Sequence, residues 1–239
     1  MRIYSRGSTF EQYKMMRESR KDLFPENTGM LFEDGEKWQN IRSKVQQDLM
    51  RPKSAMYYLD EIQNVAQDFI KLIEEKRSSN DRNIIENFLP DIYRYTLESI
   101  CVIAIEQRIG CLKNDSSTLD SEITKMFESM KAFLNSYPDF LSGIPTWKFL
   151  PPRMNKSYRN AQDHLDYILE FIKSRVDKEV EKIAKKHNDI NKDDNDENLR
   201  DVSVLEKMII RNGKSSTFPF VMAVDMIFAG IDTTGTALG

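Results

Sequence analysis

The sequence predicts an all-α fold, and three observations lead to that prediction. The 239-residue chain contains only 9 Gly and 8 Pro, whereas average usage of about 7% Gly and 5% Pro would give more of both. Apolar residues recur at helical spacing through most of the chain, and no segment alternates in the way that a strand does. Hydrophobic residues make up 40% and charged residues 31% of the sequence, which is typical of a globular protein rather than a disordered one.

Charge and cysteine content exclude several functional classes. A net charge of −3 provides no basic field that would attract nucleic acid, so no nucleic-acid partner is expected. The two cysteines form neither a Cys-x-x-Cys pair nor a cluster with histidine, which argues against a disulfide scaffold and a zinc site. We expect His164 and His187 to face solvent or a neighbouring side chain rather than a metal.

The pattern predicts about eight helices, and the first of them are charged and amphipathic. In order, the predicted elements of this half are a helix over 10–21, a helix over 36–49 with Asp34 as its N-cap, a helix that starts at Ser54, and a helix over 87–108. Pro52 separates the second from the third, because proline cannot continue a helix. The segment 100–105 is apolar on nearly every face, so we expect it to be deeply buried.

The second half is predicted to contain longer helices separated by polar segments. In order, these elements are a helix to about Asn135 behind a Ser117/Asp120 capping box, a Pro- and aromatic-rich segment over 138–152, a long helix over 155–186, a short helix behind a Ser203/Glu206 capping box, and a final helix from Thr217. The long helix has an apolar stripe that we expect to face the core: Tyr158, Ala161, Leu165, Ile168, Ile172, Val176 and Val180. Residues 187–201 are polar and rich in Asn and Asp, and we expect them to form a mobile loop. The longest apolar stretch, 218–231, is interrupted by Asp225 and is too short to span a bilayer.

The last helix contains the most informative motif, Ala229-Gly230-Ile231-Asp232-Thr233-Thr234. Glycine inside a helix costs about 1 kcal/mol relative to alanine, and threonine hydroxyls can donate to the carbonyl four residues earlier and bend the helix. We therefore expect a locally opened helix in which a hydroxyl and a carboxyl face a cavity that Gly230 leaves free. That arrangement suits proton transfer to a small ligand. The alternative is a kinked structural helix packed on a neighbour.

A second constellation lies in the predicted helix over 36–49. Trp38 and Arg42 are four residues apart, so they share one helix face. The indole offers one N–H donor, and the planar guanidinium can bind a carboxylate in a bidentate manner. The alternative is ordinary: Trp38 as a core residue and Arg42 as a surface charge.

Both motifs resemble those of one family. Ala229–Thr234 resembles the oxygen-binding central helix of the cytochrome P450 monooxygenases, and 35–42 resembles the Trp-x-x-x-Arg motif that binds a haem propionate. The segments 49–54, 107–110 and 203–207 are similar to the mitochondrial branch of the family, especially to its insect members. The resemblance covers nearly the whole chain, 1–239, as a single incomplete P450 domain.

The resemblance implies a role for each matching residue. Asp232 and Thr233 would be the catalytic pair that delivers protons. The oxygen pocket would be lined by Ala229, Gly230 and Thr234. The cofactor would be haem (iron protoporphyrin IX), with a propionate bound by Trp38 and Arg42.

The resemblance also implies an activity and a location for the complete protein. The reaction would insert oxygen from O2 into a small apolar substrate, with electrons from a ferredoxin-type iron–sulfur donor. The location would be mitochondrial, on the matrix side of the inner membrane. The segment 136–152 falls where the family roofs its substrate channel, so peripheral membrane contact is expected there.

Several family features are not found in these 239 residues. Cys101 and Cys111 do not fit the family's Phe-x-x-Gly-x-Arg-x-Cys-x-Gly loop, which carries the axial thiolate, and we expect both to be small core hydrophobes. The pairs Glu74/Arg77 and Glu197/Arg200 have the family's Glu-x-x-Arg spacing, but we assign them surface roles.

The N-terminus has no secretory or transit pattern, and the chain stops at Gly239 inside an apolar helical pattern. We therefore expect a fragment that has no metal ligand, does not stably bind haem and is inactive alone. Two alternatives stay open. One is a truncated product or partial gene model without enzymatic activity, and the other is a helical interaction protein unrelated to haem.

Overall fold

A computed structural model describes residues 8–78, 85, 87–113, 121–136, 154–188, 202–213 and 215–238, apart from the side chains of 8–13, 47, 187 and 188. These residues form nine α-helices and no strand, which confirms the all-α prediction. The helices are α1 (Ser8–Ser19), α2 (Gly35–Met50), α3 (Pro52–Tyr57), α4 (Leu59–Ser78), α5 (Leu89–Ala104), α6 (Ser121–Asn135), α7 (Lys156–Asn188), α8 (Val204–Asn212) and α9 (Phe218–Leu238).

Two helices of the first half differ from the prediction. The helix expected from Ser54 is two helices, because Pro52 occupies the first turn of α3 and the chain turns at Tyr58 before α4. The helix expected over 87–108 is shorter. It ends at Ala104, where Ile105 leaves the helical conformation and Glu106 takes a positive φ of 54°.

Two predicted boundaries of loops and caps also need correction. Asp34 occupies the N-cap position of α2, but its side chain makes no capping hydrogen bond. α7 continues to Asn188 and so includes the first residues of the predicted loop 187–201. The rest of that loop, as 189–201, lies outside the described residues, as do 137–153 and the Ser117/Asp120 capping box.

The core forms around α9. Every residue from Phe218 to Asp225 is buried, and α9 packs along α5 and against α7 and α8. α9 is 21 residues long and is, by length and composition, apolar enough to cross a membrane. The expectation that this apolar stretch is too short to do so is therefore wrong, because the helix continues to Leu238. A buried core helix meets the same criterion, and α9 is the central helix of this core.

The burial predicted for 100–105 is confirmed at Cys101, Val102, Ala104 and Ile105, whereas Ile100 and Ile103 are half-buried. Cys101 and Ile105 are fully buried in α5 and its C-cap, and Cys111 is 1% exposed. Both cysteines are free thiols that pack as core hydrophobes, as predicted. The inner face of α7 is equally apolar, and the buried members of its predicted stripe are Tyr158, Ala161, Leu165, Ile168, Ile172 and Val176.

α8 is attached to the rest of the core by a cluster of polar groups at its N-terminus. Ser203 caps α8 as predicted, because its Oγ accepts a hydrogen bond from the Glu206 backbone N–H at 2.9 Å. The Ser203 hydroxyl also donates to the carboxylate of Glu106. Burial and, to a lesser extent, the nearby carboxylates of Glu206 and Glu179 together raise the pKa of Glu106 from the ordinary value of 4.5 to about 7.

We predict that Glu106 makes the protein less stable as the pH rises. Its pKa in the folded state lies above its ordinary value, so between about pH 4.5 and 7 the folded chain binds more protons than the unfolded chain. The free energy of unfolding therefore falls over this range. Glu106→Gln removes that loss and keeps an acceptor for Ser203. We expect the free energy of unfolding to fall, between pH 5 and pH 8, by on the order of 2 kcal/mol more in the wild type than in the variant. Urea unfolding of both proteins at the two pH values measures this difference.

The matched control is Glu181→Gln, the same change at an exposed position of α7. Its two unfolding energies should follow those of the wild type at both pH values. A Glu106→Gln variant that also follows the wild type would contradict the prediction.

Candidate functional site

The motif Ala229–Thr234 lies where α9 leaves the core. The first half of α9 is buried, whereas Ala229, Asp232 and Thr233 are exposed. The Thr233 hydroxyl donates to the Ala229 carbonyl at 2.6 Å, which is the bond that the sequence led us to expect. α9 nevertheless continues as one α-helix to Leu238. We call the surface formed by Ala229, Asp232 and Thr233 the α9 face.

Gly230 and Gly235 lie on the other side of α9, against α5. A Cβ atom at Gly230 would be 2.8 Å from Ile100 Cγ1, and one at Gly235 would be 2.6 Å from Tyr93 Cε1. The expectation of free space beside Gly230 is therefore wrong on this side, because Ile100 fills it. The glycines allow α5 to approach closely, and their role in an oxygen pocket stays a prediction.

Asp225 extends the α9 face toward the core. Its position is four residues before Ala229 and seven before Asp232, and residues at this spacing share one face of a helix. Unlike them, Asp225 is only 2% exposed. Its Oδ1 atom lies 2.6 Å from Nη1 of Arg17 in α1, which is also 2% exposed.

The Arg17–Asp225 ion pair was missed by the sequence analysis, which treated Asp225 only as an interruption of an apolar stretch. Burial raises the pKa of Asp225 above its ordinary value, while Arg17 and the backbone N–H groups of Met30 and Leu31 oppose that rise. Arginine stays protonated in proteins, and its positive charge 2.6 Å away favours the ionised form of Asp225. The available signal was the carboxylate itself, because a charge in an apolar helix needs a partner.

Trp38 and Arg42 are brought together on α2. The Arg42 Cζ atom lies 5.1 Å from the Trp38 ring centroid, and Nε donates to Gln46 Oε1 at 3.2 Å. Both side chains are half-buried. We call these two residues the Trp–Arg pair. Among the hydrogen bonds and ion pairs of the described residues, none joins this pair to the α9 face.

α2 meets α9 at the buried start of that helix. The Lys44 ammonium lies 5.3 Å from the ring centroid of Phe218. Ile41 and Val45 belong to the same apolar cluster as Phe218 and Met222. The Trp–Arg pair and the α9 face thus lie on two helices that are packed together at one end.

Some of the described residues are suited to binding a haem, and others are not. The guanidinium and indole of the Trp–Arg pair are donors suited to a carboxylate, and the α9 face has the small side chain of Ala229 beside a hydroxyl. Cys101 and Cys111 do not fit an axial ligand, because both are buried between helices and burial raises the pKa of both thiols. Within the described part of the chain, no three His, Cys, Asp or Glu side chains come together as a metal site.

The remaining candidate residues that the structure describes belong to other helices. Glu74 and Arg77 are exposed on α4, in agreement with their assigned surface role, and His164 is half-buried on α7. Glu197 and Arg200 lie outside the described residues, as does the side chain of His187.

Comparison with known proteins gives one consistent result. The sequence model of the Cytochrome P450 family matches residues 4–239. The chain is 32% identical over 91% of its length to "Probable cytochrome P450 12a5, mitochondrial" of Drosophila melanogaster. It is 30% identical over 91% of its length to "Cytochrome P450 CYP12A2" of Musca domestica, and 28% identical over 94% to "Ecdysone 20-monooxygenase" of Drosophila melanogaster. It covers 38%, 38% and 40% of these three relatives.

We predict that Gly230→Ala destabilises the protein. Alanine favours a helix by about 1 kcal/mol over glycine, but its Cβ would lie 2.8 Å from Ile100 Cγ1 and 3.2 Å from Ile100 Cβ. Overpacking of this kind typically costs about 1–3 kcal/mol, so the net free energy of unfolding should fall. Chemical denaturation of the variant measures this loss.

The double variant Gly230→Ala with Ile100→Val provides the control, because it removes one methyl group from the crowded contact. It should be more stable than Gly230→Ala alone. A Gly230→Ala variant as stable as the wild type would show that Ile100 does not restrict this position.

Proposed function

The chain belongs to the cytochrome P450 family, and we propose that it forms the oxygen-binding side of a haem-dependent monooxygenase. The observation that carries this proposal is the α9 face. It places a hydroxyl and a carboxyl on an exposed surface, directly after the most buried helix segment of the core. The chain spans less than half the length of the curated relatives it matches, so the activity is proposed for a protein that contains this chain.

The Trp–Arg pair would bind one propionate of the haem. Arg42 stacks near the Trp38 ring, and this contact restricts the guanidinium so that its remaining N–H donors can bind a carboxylate. Haem, when bound, supplies the activation of dioxygen. Ala229 and Gly230 would border the oxygen site, because neither carries a side chain large enough to obstruct it.

Asp232 and Thr233 would move protons toward the oxygen site. The Thr233 hydroxyl donates its own proton to the Ala229 carbonyl, so its oxygen lone pairs are oriented to accept a hydrogen bond from a water or a substrate group. The carboxyl of Asp232 is exposed and can exchange protons with solvent. Thr234 is exposed beside them and extends the polar surface.

The relatives support a location and a class of electron donor. Several of them have the word mitochondrial in their names. We therefore propose a mitochondrial protein, on the matrix side of the inner membrane, that receives electrons from a ferredoxin-type iron–sulfur protein. Its substrate would be small and apolar, and peripheral membrane contact would involve the segment 136–152.

We predict that Thr233→Ala uncouples electron consumption from substrate oxidation. In the full-length polypeptide that the transcript encodes, loss of the hydroxyl should raise the hydrogen peroxide released per electron donor oxidised by about tenfold, because general acid–base groups typically contribute at least that much to a rate. Peroxide and donor consumption are measured together, so the substrate need not be identified. Thr236→Ala, which removes an exposed hydroxyl from the next turn of α9, is the control and should leave the ratio unchanged. An unchanged ratio for Thr233→Ala would count against its role.

We propose further that the 239-residue chain by itself does not form a haem–thiolate centre. Its two cysteines are buried in the helical core, with raised thiol pKa values, and a thiolate is the ligating form. We predict that the purified chain with added haem, once reduced and bound to carbon monoxide, lacks the absorption band of a thiolate ligand. Detection of that band would overturn the prediction, and its loss in Cys101→Ala or Cys111→Ala would then identify the ligand.

A further inference from the structure

We propose that Arg17 and Asp225 are positioning residues for the proposed haem site. Their buried ion pair fastens the segment 28–33 to α9, and through this segment it sets the position of the Trp–Arg pair relative to the α9 face. What these two surfaces do rests on the proposed function. The attachment itself does not, and it can be tested separately.

The ion pair lies in an unusually enclosed setting for two charges. Arg17 Nη1 contacts Asp225 Oδ1 at 2.6 Å and the Thr28 carbonyl at 2.8 Å. The guanidinium carbon lies 4.5 Å from the ring centroid of Phe32 and 5.7 Å from that of Phe228. Aromatic rings attract a cation through their faces, so α1, the segment 28–33 and α9 all meet at Arg17.

The second oxygen of Asp225 contacts the same segment. Asp225 Oδ2 accepts a hydrogen bond from the Leu31 backbone N–H at 3.4 Å. Gly29 has a φ of +100°, and a Cβ atom there would lie 2.5 Å from Asp225 Oδ2. Only glycine combines this conformation with so close an approach. The backbone of the segment therefore lies in direct contact with the carboxylate of Asp225.

Hydrogen bonds also join the two ends of the segment 28–33, so a displacement at its contact with Asp225 would move the segment as one unit. Glu33 Oε1 accepts hydrogen bonds from the Thr28 backbone N–H at 2.9 Å and from the Thr28 hydroxyl at 2.8 Å. Burial tends to raise the pKa of Glu33, but these bonds and the positive charge of Lys14 outweigh it and the pKa is lowered. Glu33 is therefore an ionised bridge between the two ends of the segment.

The attachment lies close to both proposed haem-facing surfaces. On α9, Asp225 is one turn before Ala229 and on the same face. On the other side, α2 begins at Gly35, two residues after Glu33, and Trp38 lies in its first turns. A shift of the segment relative to Asp225 would therefore move the start of α2 and change the separation of the two surfaces.

The chemistry of the pair supports a positioning role rather than a contribution to stability alone. A buried ion pair often stabilises a protein no more than apolar side chains of the same volume, because both charges lose their hydration. Hydrogen bonds from defined atoms, in contrast, fix one direction and one register. Here the guanidinium and the carboxylate each bind a backbone group of the same six-residue segment.

The test uses the full-length polypeptide that the transcript encodes and compares three single variants: Asp225→Asn, Arg17→Met and Arg17→Lys. The double variant Arg17→Met with Asp225→Leu is added because it replaces both charges by apolar groups and should fold where a single variant leaves one charge buried. Lys173→Met is the matched control, since Lys173 forms an exposed ion pair with Asp177 on α7 at 2.7 Å.

Amide hydrogen exchange measures the attachment without haem. In Asp225→Asn, Arg17→Met and the double variant, amides of 28–33 should exchange about tenfold faster or more, while those of α5 in the core keep their protection. Arg17→Lys should retain part of the protection because it keeps the charge. Lys173→Met should match the wild type. Unchanged exchange in 28–33 would overturn the attachment.

Ligand binding to the ferric haem protein measures the positioning. Phenylimidazole, which is bulky, should bind about tenfold more weakly to the double variant than to the wild type, whereas cyanide, which is small, should change by less than about twofold. Equal losses for both ligands, or none, would show that the pair only fastens the segment and would overturn the positioning role. If the wild type binds neither haem nor phenylimidazole, the proposed function fails and the positioning role fails with it, while hydrogen exchange still decides whether the pair attaches the segment.

Discussion

The close packing of α9 on α5 is the constraint on which the rest of the structure depends. Gly230 and Gly235 bring the two helices together, with Ile100 and Tyr93 filling the space that larger residues would need. Because one side of α9 is committed to this contact, the opposite side carries the exposed Ala229, Asp232 and Thr233. The orientation of the proposed oxygen site is thus a consequence of helix packing.

Buried carboxylates attach loops to this helical core in several places. Asp225 of α9 accepts the backbone N–H of Leu31. Glu98 of α5 is fully buried and accepts the backbone N–H groups of Gly110 and Cys111 at 3.0 and 2.8 Å. Each carboxylate also has an arginine partner, Arg17 in the first case and Arg108 in the second. Desolvated charges are tolerated here because backbone donors and a guanidinium replace their hydration.

Family membership and geometry support each other on one side of the proposed haem site. The P450 model matches residues 4–239, and the structure places the two matching motifs on helices that meet at the start of α9. The cysteines belong to the core instead. On the proposed function, the chain would contribute a propionate-binding pair and a proton-transfer surface.

The sequence by itself determined most of the local structure, although not the cap of α2 or the division between α3 and α4. Helical periodicity, the Ser203 cap of α8 and the buried stripe of α7 were all predictable, because each depends on residues within a few turns of one another. The family motifs were recognisable for the same reason. Only the tertiary structure decided that Ile100 occupies the space beside Gly230 and that Asp225 pairs with Arg17, 208 residues away in the chain. Periodicity indicates which face of a helix is buried, but it contains no information about which distant residue covers that face.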